Sequence, residues 1–134
     1  MRKVNAAVGV ATAFAAGMIA LAPAGPASAA TPTCDSAGTY AGAWVPIYRA
    51  TPSATCNMVR GNNSVGVRQL QTTLNKCYKA GLIEDGDFGT ATRNALINAQ
   101  RAAGTPADGE YGPNTRKAIR HEPVNGSTNC VRVP

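Results

Sequence analysis

The sequence lacks several patterns that usually accompany metal binding or nucleic-acid binding. It has a single histidine, His121, and none of its four cysteines forms a C-x-x-C pair, so the usual ligand spacings of a structural zinc site are missing. Its lysines and arginines are scattered rather than gathered into the basic run that is typical of nucleic-acid-binding proteins. We therefore expect no metal, no other cofactor and no nucleic-acid partner.

The first 29 residues have the features of a secretory signal peptide. Arg2 and Lys3 precede an apolar run that reaches Leu21, and the small residues Ala-Ser-Ala follow at 27–29. A membrane-spanning helix is the alternative, because the run is nearly long enough to cross a bilayer. Its richness in alanine and glycine and its A-x-A ending favour cleavage instead. We expect an exported protein without membrane contact after cleavage.

The mature chain has the size of one domain and a net positive charge. Cleavage after Ala29 leaves 134 − 29 = 105 residues, with no room for a second, catalytic domain. Loss of Arg2 and Lys3 leaves 13 − 2 = 11 basic residues against seven acidic ones, a net charge of +4. This balance favours an anionic partner surface, and outside a bacterium the polyanionic cell wall is the natural candidate.

All four cysteines lie in the exported part, at wide spacing, which indicates two disulfides rather than free thiols. Four cysteines permit three connectivities, and the sequence does not decide among them. We expect Cys34 to bond to Cys56 and Cys77 to bond to Cys130, because this pairing assigns one bridge to each end of the domain.

Helical periodicity begins at Ser64. An apolar stripe at i, i+3, i+7 and i+11 predicts a helix that Ser64 caps and Gly81 ends. A second helix should follow Gly89 and end at Gly104, and Pro113 suits the first turn of a third, shorter helix. The positions expected to face inward are Val67, Leu70, Leu74 and Tyr78 in the first helix, Thr92, Ala95, Leu96, Ala99 and Ala103 in the second, and Thr115, Ala118 and Ile119 in the third.

Residues 31–63 are rich in proline, glycine, serine and threonine. This composition predicts an ordered but mostly non-helical arm, with one short extended piece near residues 43–48. The arm contains Trp44, the only tryptophan, which suggests either a surface that stacks on sugars or a cover for the edge of a small core.

One phrase occurs twice. DGDFGTATRNAL at 85–96 and DGEYGPNTRKAI at 108–119 align at an offset of 23 residues, so the chain contains an internal duplication. Asp followed by Gly is typical of a turn whose carboxylate accepts backbone N–H bonds and whose glycine takes a positive φ. The positions assigned to this loop architecture are Asp85, Gly86, Gly89, Asp108, Gly109 and Gly112.

Three chemical interpretations of the acidic loops are possible. A calcium site would need more oxygen ligands than Glu84, Asp85 and Asp87 provide, and the spacing is not that of an EF-hand loop. A glycosidase pair would need a cleft between two acids, for which a domain of this size leaves little room. A Ser/His/Asp arrangement would have to use His121, which we expect to be a solvated helix end.

The motifs together resemble the peptidoglycan-binding domain family. Val67, Arg68, Leu70 and Gln71 match its V-R-x-L-Q signature, and both loops match its D-G-x-[FY]-G-x-x-T signature. The resemblance implies an all-α fold, a small three-helix bundle at 64–121, here with a disulfide-stapled, mostly irregular N-terminal arm at 30–63. A C-terminal tail at 122–134 would be tied back by a disulfide.

Two residues depart from the family pattern. Ala99 stands before Gln100 where a bulky phenylalanine is common, and Thr105 stands where leucine is common. We expect a thinner core, which the two disulfides would help to stabilise at about 3 kcal/mol each.

The resemblance implies a noncatalytic module that binds bacterial cell-wall peptidoglycan, secreted or associated with the wall, with a separate wall hydrolase as a further partner. The alternatives are a secreted protein-interaction module, such as an inhibitor or accessory partner of an extracellular enzyme, and a small wall hydrolase. By analogy the binding face is a shallow groove at the two loops. Its candidate residues are Tyr111, Asn114, Arg93, Arg116 and Trp44, although both arginines fit a solvated helix face equally well.

Overall fold

A computed structural model describes residues 30–134, which form two strands and three helices. The signal peptide predicted for residues 1–29 lies outside the described residues. In the described part of the chain, no helix is long and apolar enough to cross a membrane. The elements are β1 (Ser36–Tyr40), β2 (Ala43–Ile47), α1 (Val65–Tyr78), α2 (Thr90–Ala103) and α3 (Pro113–Ala118).

The prediction of an all-α fold is wrong, because β1 and β2 pair as an antiparallel sheet. The turn between them has a positive φ at both central residues, 48° at Ala41 and 81° at Gly42, which is the geometry of a type I′ hairpin turn. Ala43 and Val45 are buried on one face of β2 while Trp44 is exposed. The sequence analysis anticipated the extended piece of β2 but missed β1.

Helix α1 begins where predicted and ends earlier. The Ser64 hydroxyl accepts a hydrogen bond from the Val67 N–H at 3.1 Å, which satisfies one of the free donors of the first turn. The helix ends at Tyr78, because Lys79 takes a left-handed conformation with φ 54°. The Lys79 N–H bonds to the Asn75 carbonyl at 3.0 Å, which is the 5→1 bond of an αL cap. Gly81 was therefore the wrong end point.

Helices α2 and α3 have the predicted starts. Both are preceded by a glycine N-cap, and Pro113 occupies the first turn of α3. Helix α2 stops at Gly104, whose φ of 72° gives the left-handed cap that glycine adopts at low cost. These boundaries follow from local residue types, which is why the sequence was sufficient to predict them.

The core joins the three helices to the arm. Met58 and the bonded Cys34 and Cys56 are fully buried in the same cluster as the helix residues, so the arm contributes to the main core. The second bridge joins Cys77 to Cys130, and both pairs are those expected from the sequence. The buried members of the main cluster on the helices and loops are Val67, Leu70, Leu74, Phe88, Leu96, Ala99, Tyr111 and Ile119.

Candidate functional site

The first D-G loop, residues 85–89, is held by one buried amide from α1. The Nε2 of Gln71 donates to Asp85 Oδ1 at 2.9 Å, to the Asp87 carbonyl at 3.0 Å and to Thr92 Oγ1 at 3.0 Å. Its Oε1 accepts from the Gly86 N–H at 2.9 Å. A single side chain thus joins the loop to the helices on both sides of it.

The second D-G loop, residues 108–112, repeats this arrangement with a glutamine from α2. The Nε2 of Gln100 donates to Asp108 Oδ1 and the Glu110 carbonyl, each at 2.9 Å, and to Thr115 Oγ1 at 3.0 Å. Its Oε1 accepts from the Gly109 N–H at 2.9 Å. The two networks match bond for bond, so the duplication extends to hydrogen bonding.

The aspartates of the two loops are engaged in this architecture. Asp85 Oδ1 also accepts from the Asp87 N–H at 2.9 Å, and Asp108 Oδ1 accepts from the Glu110 N–H at the same distance. The Asp87 N–H is the largest cause of a lowered pKa at Asp85, followed by the Gln71 amide. A lowered pKa keeps the carboxyl ionised, which suits a hydrogen-bond acceptor and not a general acid.

Two glycines of the loops, Gly86 and Gly109, have a positive φ and also lie very close to neighbouring atoms. Gly109 has φ 73°, and a Cβ there would lie 2.7 Å from Arg93 Cγ. Gly86 has φ 79°, and a Cβ there would lie 2.9 Å from the Ser64 carbonyl oxygen. A side chain at Gly86 would collide with backbone, whereas one at Gly109 would have to displace the Arg93 side chain, and the positive φ disfavours a side chain at both.

Two of the predicted ligand-binding residues are buried. Tyr111 is 0% exposed, and burial raises the pKa of its phenol. Arg116 is 4% exposed, its guanidinium lies 4.8 Å from the centroid of the Tyr40 ring, and it donates to the Pro134 carbonyl. In this structure neither side chain faces solvent, so each supports the fold around the second loop.

The other three predicted residues are accessible but are not gathered into one site. Arg93 packs on Gly109 and donates from Nη2 to the Asp108 carbonyl at 3.2 Å. Asn114 is exposed at the start of α3. Trp44 is 38% exposed on β2, whose backbone bonds to Glu122 beyond α3. The structure therefore places Arg93 and Asn114 at the second loop, and Trp44 on the hairpin.

His121 is buried, so the expectation of a solvated helix end is wrong. Its backbone pairs with Val131 in the C-terminal tail, and its Nε2 donates to the Arg116 carbonyl at 2.8 Å. Burial lowers the pKa of the imidazole to about 4. The side chain is 0% exposed, which removes it from any substrate at the surface.

An open groove lies between the end of α1 and α2, with a volume of about 540 Å³. It shares Gly81, Leu82 and Ala91 with a second depression of about 390 Å³ at the first D-G loop. We call the two together the α1–α2 groove. The first part of the groove is lined by residues that include Tyr78, Lys79, Leu82, Asn94 and Asn98. The second part is lined by residues that include Ile83, Asp85 and Asp87.

The sequence analysis did not find this groove, although it placed a binding face at the loops. The residues that form it have no individual signal, because alanines and asparagines on a helix surface are common. Within residues 30–134, no group of three or more His, Cys, Asp or Glu side chains is placed to hold a metal ion.

Comparison with known proteins identifies the helical region. The family model described as "Putative peptidoglycan binding domain" matches residues 63–119, the span that contains α1, α2, α3 and both D-G loops. The resemblance stated from the sequence motifs is confirmed for these residues. No curated protein and no solved structure matches the chain.

Proposed function

Because residues 63–119 belong to the peptidoglycan-binding domain family, we propose that the protein is a secreted, noncatalytic module that binds bacterial cell-wall peptidoglycan. The family match carries this proposal, since it covers both the duplicated loops and the α1–α2 groove. The two disulfides support the secreted location, because such bonds persist in oxidising compartments outside the cytoplasm.

The hydrogen bonding of the acids supports a noncatalytic role. Glu84 accepts from Thr72 Oγ1 at 2.7 Å and from Asn75 Nδ2 at 3.0 Å. Asp85 accepts from Gln71, and Asp87 accepts from the Asn63 amide. Each of these three acids is thus engaged in hydrogen bonds, and those at Asp85 lower its pKa. A general acid for glycoside hydrolysis needs the opposite environment, one that raises its pKa.

The proposed binding surface is the α1–α2 groove, with Arg93 and Asn114 as further contacts at the second loop. Trp44 provides a separate exposed aromatic face on the hairpin. Tyr111 and Arg116 are buried and form no part of this surface. Because the proposed module does not catalyse a reaction, a separate hydrolase would cleave the peptidoglycan to which it binds.

A protein-interaction module is the second candidate, and an exposed apolar area favours it. Trp44 is 38% exposed and Val124 is 47% exposed. Their segments are joined by backbone bonds from Trp44 to Glu122 at 2.8 Å and from Val124 to Gly42 at 3.0 Å. Neighbouring exposed apolar side chains of this kind are typical of surfaces that bind another protein.

Incubation of the secreted protein with insoluble cell-wall sacculi separates these functions. We expect cosedimentation with intact walls and no release of soluble muropeptides. A protein that stays wholly in the supernatant would contradict wall binding and favour the protein-interaction module. Released muropeptides that disappear with Asp87→Asn or Glu110→Gln would instead establish a hydrolase.

A further inference from the structure

The two parts of the α1–α2 groove carry opposite charges. Lys79 lies on the wall of the first part, and Asp85 and Asp87 lie on the wall of the second. The backbone of Lys79 is fixed by the α1 cap, in which its N–H bonds to the Asn75 carbonyl at 3.0 Å. The backbone of the aspartates is fixed by the Gln71 network. The groove therefore presents a cation and an anionic pair from rigid segments.

Two amides lie on the α2 side of the groove. Asn94 and Asn98 are exposed side chains one helical turn apart, which separates them by about 6 Å along the axis. Two residues of an extended peptide advance by about 7 Å. Because each amide can both donate and accept hydrogen bonds, the pair matches the spacing of peptide groups that point to the same side of an extended chain.

The length of the groove also fits a short peptide. The lining residues on α2 run from Ala91 to Ala102, eleven residue steps that span about 16 Å. An extended peptide of four or five residues is about 13–18 Å long. Between its polar elements the groove offers apolar surface from Tyr78 and Leu82, and Ile83 stands at its rim with 80% of its surface exposed.

We propose that the α1–α2 groove binds the stem peptide of peptidoglycan and not its glycan strand, with the peptide's side-chain ammonium at Asp85 and Asp87 and its terminal carboxylate at Lys79. This inference rests on the proposed function. A glycan strand without attached peptides carries no ammonium group, so it cannot use the acidic part of the groove. A stem peptide with an amine and a free carboxylate carries both charges that the groove complements.

The test compares two soluble ligands by nuclear magnetic resonance titration of the secreted protein. The first is the tetrapeptide L-Ala-γ-D-Glu-L-Lys-D-Ala, and the second is the tetramer of N-acetylglucosamine. We expect the tetrapeptide to bind with shifts of the Asn94 and Asn98 side-chain amides, and the sugar to leave them unchanged. Acetylation of the lysine ammonium should weaken tetrapeptide binding about three- to fivefold, the range for an exposed ion pair. Because the acetylation is made on the ligand, the fold of the protein cannot be affected by it.

Matched variants of the protein test the other charge. Lys79→Asn removes the cation and keeps a residue type that tolerates the left-handed conformation. It should weaken tetrapeptide binding about three- to fivefold. Lys117→Asn is the control, because Lys117 is exposed on α3 and does not line the groove. This variant should bind the tetrapeptide with the affinity of the unaltered protein.

Three outcomes would overturn the inference. The first is binding of the sugar tetramer at the groove without binding of the tetrapeptide, and the second is tetrapeptide affinity unaffected by acetylation and by Lys79→Asn. The third is cosedimentation with sacculi when neither soluble ligand shifts the resonances of the groove residues. That outcome would contradict the stem-peptide inference and leave the proposed wall binding intact. A protein that fails to sediment with sacculi contradicts the proposed function itself, so the two failures are distinguishable.

Discussion

Gln71 and Gln100 each connect three segments through one amide. The two N–H donors of each Nε2 group are shared among three oxygens within 3.0 Å, and each Oε1 accepts a hydrogen bond from the glycine of the loop. Both side chains are almost fully buried, so their loss would leave the buried N–H of Gly86 or Gly109 without a partner. Such unsatisfied groups cost more than the bond itself contributes.

Replacement of either glutamine should therefore destabilise the fold markedly. We expect Gln71→Leu and Gln100→Leu each to lower the free energy of unfolding by about 2–3 kcal/mol, measured by urea denaturation. Gln69→Leu is the control, since the buried Nε2 of Gln69 has no hydrogen-bond partner in the described structure. This variant should not be destabilised, because Leu removes a buried amide that makes no hydrogen bond. Equal losses at all three positions would show that the networks do not matter.

The buried imidazole of His121 should make stability depend on pH. Its pKa is about 4 in the fold and about 6.5 in the unfolded chain. Above pH 6.5 both states are neutral, and stability is complete. As the pH falls from 6.5 to 4, only the unfolded chain takes up a proton, so folding stability decreases by about 3 kcal/mol. Below pH 4 this group causes no further loss.

Urea denaturation across this pH range measures the effect, and His121→Phe provides the comparison. The variant should lose the step between pH 6.5 and 4 whatever its absolute stability. Asp85 acts in a separate, lower window: its lowered pKa stabilises the fold above the ordinary carboxyl pKa near 4, and that contribution is lost as the pH falls further. An unchanged slope between pH 6.5 and 4 in the variant would contradict the buried, neutral His121.

At the scale of elements, the hairpin turn contains a residue that is not ideal for its conformation. Ala41 has φ 48°, a region in which alanine is disfavoured and asparagine is tolerated. We expect Ala41→Asn to raise the free energy of unfolding by about 0.5–1 kcal/mol, because Asn-Gly is the preferred pair of a type I′ turn. Ala50→Asn, at an exposed position without a positive φ, should have no such effect. Thermal unfolding measures both, and equal melting temperatures would contradict the turn assignment.

The sequence was sufficient for elements whose limits depend on local residues. Ser64, Gly104 and Pro113 are cap and first-turn residues, and they placed the helices within one or two positions. The hairpin was missed because its turn is Ala-Gly rather than Asn-Gly, so the local signal was weak. The end of α1 was missed because Lys79 takes a conformation that glycine usually adopts.

Long-range features could not be predicted from local patterns. Gln71 and Gln100 are 29 residues apart and therefore fall outside the 23-residue repeat, which concealed their equivalent roles. His121 pairs through its backbone with Val131 in the tail. The residues next to His121 in the sequence do not predict this contact. From the sequence, Tyr111 could either anchor the loop to the core or stack on a bound ligand. Its complete burial in the structure favours the anchor.

At the scale of the whole molecule, the two disulfides restrain the tail and the arm around one small helical core. Cys77 and Cys130 are 53 positions apart in sequence, and closing a loop of this length in the unfolded chain is worth about 4 kcal/mol. We expect the double variant Cys77→Ala, Cys130→Ala to lose about that much stability in a urea titration. An unchanged midpoint, or an unchanged melting temperature in reducing agent, would contradict the stabilising role of the bridges.

The charges of the molecule are unevenly distributed. Five of its seven acidic residues lie at or beside the two D-G loops, at positions 84, 85, 87, 108 and 110, while the chain as a whole has a formal net charge of +6. If the protein binds the wall as proposed, the basic remainder favours approach to that anionic surface, and the acids of the first loop are available for contacts at short range inside the groove. This separation of roles is consistent with a binding module whose loops shape a surface.

A saturable binding isotherm on purified sacculi tests the central claim most directly. It compares the unaltered protein with a variant carrying Asn94→Ala and Asn98→Ala, and the supernatant of each sample is assayed for soluble muropeptides. Both substitutions replace exposed helical residues with a better helix former, so the fold is retained. We expect saturable binding, about five- to tenfold weaker in the variant, with no muropeptides released. Equal isotherms for the two proteins, or no binding by either, would contradict recognition of the wall through the α1–α2 groove.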